Sequence, residues 1–106
     1  MSQEILQHLS KIISERKHAN SEHSYVASLF HAGEDKILRK LTEECTEVLL
    51  ASKENSAGEV VKEMADLWFH SLVLLGYHGL SADDVLDELR HREGLSGITE
   101  KAMRNK

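Results

Sequence analysis

Two short acidic motifs are the feature of this sequence that most directly suggests chemistry. The first is E-E-x-x-E, formed by Glu43, Glu44 and Glu47, and the second is E-x-x-D, formed by Glu63 and Asp66. On a helix, residues three apart share a face and lie about 4.5 Å apart along the axis. The spacing therefore predicts one pair of carboxylates at Glu44 and Glu47 and a second pair at Glu63 and Asp66.

The two pairs are predicted to face each other across a helical hairpin whose turn centres near Asn55 and Ser56. If the helices pack antiparallel, reflection through this turn places the pairs within about one residue of the same level. Converging carboxylates repel one another unless a cation neutralises them, and oxygen ligands favour Mg²⁺, Mn²⁺ or Ca²⁺ over zinc. A single such pair is usually solvated surface, but two pairs at one level favour a metal site. Glu43 points about 100° away from Glu44, which suits the surface or a place behind the ligands.

Basic residues precede this acidic region on the same predicted helix. Lys36, Arg39 and Lys40 lie one to two turns before Glu44. Lys40, four residues from Glu44, suits a face that also meets a metal-bound phosphate. Ordinary salt bridging between residues four apart is the alternative interpretation for each of these cations.

The elements that must position these residues are all predicted to be helical. The chain has no proline, and apolar residues recur at helical spacing over about 2–18, 25–30, 34–54, 57–78 and 82–92. Gly33, Asn55 and Gly79 are expected to end helices, and Ser56 and Ser81 to begin them. We expect an all-α fold of four to five helices in a single domain, 1–106, forming an antiparallel bundle. The helix over 34–54 has an apolar stripe comprising Ile37, Leu38, Leu41, Cys45, Val48 and Leu49.

The helix over 57–78 predicts a second subunit. Seven residues between Leu67 and Leu75 are apolar nearly all round the helix, and a helix of that kind needs neighbours on every side. A chain of 106 residues has few helices to supply them, so we expect a homodimer that completes the bundle. Trp68, Phe69 and Cys45 are predicted to be buried apolar residues, and His70 a hydrogen-bonded core residue that could instead contact substrate.

Composition excludes several classes of protein. The net charge is −5, with no basic stripe, which argues against a nucleic-acid binder. The longest apolar stretch is too short to span a bilayer, and the N-terminus lacks the pattern of a secretory signal. A cytoplasmic protein that binds neither nucleic acid nor membrane is the expectation.

The motif pair resembles the all-α nucleoside triphosphate pyrophosphohydrolases, a superfamily that includes MazG-like enzymes and dimeric dUTPases. A narrower and more specific resemblance extends over 24–102. The blocks Ser24–Phe30, Gly33–Lys40, Glu63–His70 and Leu72–Leu75, with the ending from Leu89 to Ala102, are similar to the phosphoribosyl-ATP pyrophosphatases.

This resemblance implies hydrolysis of phosphoribosyl-ATP to phosphoribosyl-AMP and pyrophosphate, the second step of histidine biosynthesis, by a magnesium-dependent (Mg²⁺) homodimer. By position it implies four metal ligands, Glu44, Glu47, Glu63 and Asp66. It makes Lys36 and Lys40 candidates for binding phosphate, alongside Arg39, and Ser24 and Tyr25 candidates for selecting this ATP-derived substrate. Either Glu43 or Glu47 is expected to orient the attacking water.

Three alternatives stay open on the sequence. One is a MazG-like enzyme acting on a deoxynucleoside triphosphate, against which the block 24–40 argues. Another is a non-catalytic, metal-binding helical dimer. The third is a carboxylate-bridged di-iron bundle, because Glu15-x-x-His18 and Glu88-x-x-His91 have the required spacing, although both motifs lie at polar helix ends.

Overall fold

The computed structural model describes residues 2–93 and Arg104, and within them it consists of helices, turns and no strand. The prediction of an all-α fold is confirmed. The C-terminal part of the family resemblance, over 94–102, lies outside the described residues. Residues 2–93 form five helices, α1 (Ser2–Arg16), α2 (Tyr25–Ala32), α3 (Glu34–Lys53), α4 (Ala57–Tyr77) and α5 (Ala82–Arg92). Their bounds agree with the predicted ones to within two residues.

The helix ends form where the sequence predicts them. Asn55 adopts a positive φ of 59° in the turn between α3 and α4, a conformation that Asn tolerates better than most residues. The Ser56 hydroxyl then accepts a hydrogen bond from Glu59 N at 3.4 Å, which begins α4. At the start of α5, the Asp84 carboxylate accepts from Ser81 N at 2.9 Å. The Asn55 conformation and the Ser56 cap keep the α3–α4 turn short, so the two long helices run antiparallel and pack along their length.

The face of α3 that packs against the rest of the chain differs from the predicted stripe. Leu38, Cys45 and Leu49 are exposed, so the prediction that Cys45 is buried is wrong. The least exposed positions of α3 follow one another at alternating intervals of four and three residues. Positions with this spacing form one line along a helix, here called the seam, that packs against a neighbouring helix. That seam consists of Ile37, Leu41, Glu44, Val48 and Ala51. The carboxylate of Glu44 therefore occupies a seam position. The predicted stripe was wrong because it was drawn from apolar residues alone and so omitted Glu44.

The core lies where α1, α2 and α3 meet the C-terminal half of α4. Its largest fully buried side chains are Ile13, Leu29, Ile37 and Val73. Gly76 allows α1 to approach α4 closely, since a Cβ there would lie 3.2 Å from Ile13 Cγ2.

The middle of α4 is only partly covered within one chain. Trp68 is 56% exposed, so the prediction that it is buried is wrong for the single chain, and Phe69 is half-buried. His70, by contrast, is 6% exposed and hydrogen-bonded, which confirms the prediction of a satisfied core histidine.

Candidate metal and substrate site

Three of the predicted carboxylates converge between α3 and α4. Glu44, Glu63 and Asp66 each offer one oxygen, and these three oxygens all lie within 4.8 Å of one another. Glu44 is buried, at 9% exposure, and Glu63 and Asp66 are half-buried. The helix-pair geometry accounts for the arrangement, because Glu44 lies on the seam of α3 and Glu63 faces it from α4, with Asp66 one turn further on.

The electrostatics of this acidic group suit a cation. Burial raises the pKa of Glu63 above its ordinary value of 4.5, and the negative charges of Asp66, Glu47 and Glu44 raise that pKa further. Three carboxylate oxygens form a hard donor set of the kind that binds Mg²⁺, and a divalent cation would relieve their mutual repulsion. On donor chemistry and spacing, the residues fit the hard divalent cation that the motifs predict, and Mg²⁺, which the family resemblance implies, is one such cation.

The other two predicted acidic residues lie at the edge of this group. Glu47 is exposed and is not one of the three residues that converge, although its charge reaches Glu63. The Glu43 carboxylate accepts a hydrogen bond from Lys40 Nζ at 3.3 Å. The two residues therefore differ in their surroundings. Glu43 is paired with Lys40, whereas Glu47 lies one turn after Glu44 on α3.

Lys40 is the predicted cation that the structure places directly at the acidic group. Besides its bond to Glu43, its Nζ lies 3.7 Å from Glu44 Oε1. The hydrogen bond to Glu43 raises the pKa of Lys40 above 10.5, so the ammonium keeps its charge at neutral pH. Lys36 and Arg39 lie on the same helix and are exposed, and the ion pairs to Glu43 and Glu44 within the described residues are made by Lys40.

Of the two predicted substrate residues at the start of α2, Tyr25 is linked to the acidic group through a histidine and Ser24 is not. The Ser24 hydroxyl accepts from Ala27 N at 3.1 Å, so this residue caps α2. The Tyr25 hydroxyl lies 2.8 Å from His70 Nε2, and His70 Nδ1 lies 2.8 Å from the backbone oxygen of Asp66. The link between Tyr25 and His70 is not predictable from the sequence, because the two residues are 45 positions apart and no periodicity connects them.

The motifs of the di-iron alternative do not form a site in the described part of the chain. Glu15, His18 and His91 are exposed, and the Glu88 carboxylate accepts from Arg92 Nε at 3.2 Å. The converging group consists of carboxylates, without a histidine.

None of the helices in the described residues combines the length and apolarity that crossing a membrane requires. The fold and the site place the chain in a class of proteins, the all-α proteins with a group of carboxylates between two antiparallel helices. Such a group has the donor chemistry to bind a divalent cation. Comparison with known proteins narrows this class.

The phosphoribosyl-ATP pyrophosphohydrolase family model matches residues 6–93, and the chain belongs to this family. A phosphoribosyl-ATP pyrophosphatase of Nitrosospira multiformis is 58% identical over 101 residues, covering 95% of this chain and 84% of the relative. One from Neisseria meningitidis is 54% identical over 104 residues, covering 98% and 97%. Another from Geotalea daltonii is 52% identical over 106 residues and covers both chains fully. The resemblance read from the sequence is confirmed.

Proposed function

We propose that this protein hydrolyses phosphoribosyl-ATP to phosphoribosyl-AMP and pyrophosphate, the second step of histidine biosynthesis, in the cytoplasm. The observation that carries the proposal is the convergence of Glu44, Glu63 and Asp66 in a chain whose relatives are named for this activity. The reaction joins water to a phosphoric anhydride, so the protein must hold a highly charged polyphosphate and position a water beside it.

The acidic group is the proposed Mg²⁺ site. Glu44, Glu63 and Asp66 would hold the ion, and Glu47 is near enough for its charge to act on Glu63. When bound, Mg²⁺ supplies charge neutralisation to the phosphates and lowers the barrier to attack by water. Substituting Asp66 or Glu44 with the matching amide is therefore expected to abolish turnover while the helices stay folded.

Lys40 is the proposed contact to the phosphates. Its ammonium is held at the edge of the acidic group by Glu43 and Glu44, where it can stabilise negative charge on the departing pyrophosphate. Lys36 lies one turn before Lys40, and Arg39 directly precedes Lys40. Both side chains are exposed, so they add positive charge to the surface next to Lys40. Lys40→Ala is expected to reduce kcat/KM more than Lys36→Ala or Arg39→Ala, because only Lys40 contacts the carboxylates.

Glu47, rather than Glu43, is the proposed residue for orienting water. The Glu43 carboxylate is occupied by Lys40 at 3.3 Å, whereas Glu47 lies one turn after Glu44 and outside the converging three. The test compares Glu47→Gln with Glu43→Gln. Glu47→Gln should lose kcat but keep the rise in melting temperature on adding Mg²⁺, and Glu43→Gln should keep most of both. Loss of kcat in Glu43→Gln alone would reverse the assignment.

Selection of phosphoribosyl-ATP over ATP is proposed to depend on residues outside the metal group, namely Ser24, Tyr25, Lys36 and Lys40. The extra phosphoribosyl group adds a second anionic handle, and losing a charge-assisted contact weakens transition-state binding. A side-by-side assay of pyrophosphate release from phosphoribosyl-ATP, ATP, dCTP and dUTP with Mg²⁺ tests this. Efficient hydrolysis of a deoxynucleoside triphosphate but not of phosphoribosyl-ATP would leave only the broader superfamily activity.

A homodimer is the proposed assembly. Trp68 lines an apolar groove between α1, α4 and α5, and Leu89 and Val85 line the same groove while being 56% and 43% exposed. An open apolar groove of this kind marks an interaction surface, and a second copy of the chain offers the matching surface by symmetry. Sedimentation should give twice the 12.0 kDa chain mass, and a stable 12.0 kDa species at micromolar concentration would contradict the proposal.

A further inference from the structure

The hydrogen bonds around His70 fix the direction in which Tyr25 bonds. His70 Nδ1 lies 2.8 Å from the backbone oxygen of Asp66, and a carbonyl oxygen only accepts, so Nδ1 must carry a proton. A neutral imidazole has a single N–H, which leaves Nε2 as an acceptor. The Tyr25 hydroxyl, 2.8 Å from Nε2, is therefore the donor of that bond. Its proton is committed to His70, and its oxygen is left with acceptor capacity alone.

The Tyr25 hydroxyl lies close to the acidic group. Only the His70 imidazole separates it from the backbone oxygen of Asp66, with each of these two oxygens 2.8 Å from a ring nitrogen, and Tyr25 is 51% exposed, so a ligand at the acidic group can reach it. His70 itself is 6% exposed and packs against Phe69, with their ring centroids 5.5 Å apart. A buried histidine therefore holds a partly exposed hydroxyl in one orientation beside the carboxylates.

We propose that Tyr25 accepts a hydrogen bond from an O–H group of the bound ligand, and that His70 is the positioning residue that prevents Tyr25 from donating to a phosphate. Phosphate oxygens at neutral pH are acceptors, so they cannot bond to a tyrosine oxygen whose proton is already engaged. The O–H donor has two sources at this site, a ribose hydroxyl of the nucleotide and a water bound to Mg²⁺. The claim about the bound ligand rests on the proposed function, whereas the direction of the Tyr25–His70 hydrogen bond does not.

The bond direction is tested first, by ¹⁵N NMR of the imidazole nitrogens at pH 8, with His70→Gln used to assign the His70 signals. We expect the neutral tautomer with the proton on Nδ1, and its Nε2 signal should shift in Tyr25→Phe, which removes the donor. A proton on Nε2, or on both nitrogens, would overturn the proposal, because Tyr25 would then be free to donate. This measurement gives the same answer whether or not the protein hydrolyses phosphoribosyl-ATP.

The ligand is tested with probes that differ in their hydroxyls. Tyr25→Phe keeps the ring and removes the acceptor, and should weaken binding by about threefold to tenfold, the effect of one hydrogen bond. If a ribose hydroxyl is the donor, wild type should bind ATP more tightly than 2′-deoxy-ATP or 3′-deoxy-ATP, and Tyr25→Phe should erase that difference. If a Mg²⁺-bound water is the donor, Tyr25→Phe should weaken Mg²⁺ binding without nucleotide.

Inorganic pyrophosphate serves as the matched control probe because it lacks a ribose. A loss of pyrophosphate affinity in Tyr25→Phe, with Mg²⁺ binding unchanged, would show donation to phosphate and overturn the proposal. So would unchanged binding of every probe. His70→Phe frees the Tyr25 proton, so it should weaken binding of the O–H donor as Tyr25→Phe does but tighten binding of pyrophosphate, and the double variant should behave as Tyr25→Phe alone, since the histidine acts through the tyrosine. If His70→Phe does not fold, His70→Gln provides the test, because its amide oxygen can accept the hydrogen bond from Tyr25. This variant should bind the ligand as wild type does, and a loss of binding would contradict the positioning role of His70.

Discussion

Replacing Asp66 with asparagine should separate metal binding from folding. The Asp66 oxygen lies within 4.8 Å of an oxygen of Glu44, and the buried carboxylate of Glu44 cannot move far from it. At that distance two unit charges repel by about 1 kcal/mol in bulk water and by about 3.5 kcal/mol at an effective dielectric constant of about 20. Asp66 is half-exposed, so the lower figure applies. The amide keeps the shape of the side chain and leaves the backbone bond to His70 in place.

Without metal, Asp66→Asn should therefore be more stable than wild type by about 1 kcal/mol, or about 4–8 °C in melting temperature for a domain of this size. With Mg²⁺ the order should reverse. A ligand at about 100 times its Kd adds about 2.7 kcal/mol to the stability of a protein that binds it only when folded. Wild type should gain that stabilisation, and the variant should lose most of it together with turnover.

Thermal unfolding followed by circular dichroism, in EDTA and in a Mg²⁺ series, measures both effects. Glu59→Gln is the matched control, because Glu59 is in the first turn of α4 and is not one of the three converging carboxylates, although its charge also raises the pKa of Glu63. That substitution should lower stability by about 0.3–1 kcal/mol through the helix dipole and leave the Mg²⁺ response intact. If Asp66→Asn also melts lower in EDTA and responds to Mg²⁺ as the control does, the acidic group is not a metal site.

Three further outcomes follow from the structure. The raised pKa of Glu63 means that its contribution to stability without metal is lost as pH rises from 4.5 through that pKa. In EDTA the melting temperature of Glu63→Gln should therefore rise relative to that of wild type over this interval and then keep a constant difference, and a difference that is the same at every pH would contradict this. Gly76→Ala should lower the melting temperature, because its Cβ would crowd Ile13 Cγ2 at 3.2 Å, whereas Gly58→Ala, with open space around it, should raise it by better helix propensity; differential scanning calorimetry of both variants checks the pair. Trp68→Glu should yield a folded monomer in sedimentation, and a dimer as tight as wild type would place the interface elsewhere.

The sequence predicts the helices well because their ends depend on local chemistry. Positive φ at Asn55 and Gly79 and the Ser56 cap are properties of a few neighbouring residues. Burial is harder to predict because it depends on which partners a helix meets. Cys45 and Trp68 are apolar at plausible core positions, yet both are exposed in the single chain.

The candidate site likewise has features that local spacing predicts and features that depend on packing. Spacing alone places Glu63 and Asp66 on one face, and reflection through the turn brings Glu44 to their level, as the structure has them. The same argument does not distinguish Glu44 from Glu47, since only packing decides which of the two occupies the seam. The bond between Tyr25 and His70 joins two helices distant in sequence, so it needs the fold before it can be seen.

The most direct test of the account is the rate of pyrophosphate release from phosphoribosyl-ATP, measured in single turnover across a Mg²⁺ series for wild type, Glu44→Gln and Glu59→Gln. Turnover should depend saturably on Mg²⁺ in wild type and Glu59→Gln, and Glu44→Gln should lose turnover at every Mg²⁺ concentration with its helical content unchanged. Turnover by Glu44→Gln that saturates with Mg²⁺ as wild type does would contradict it.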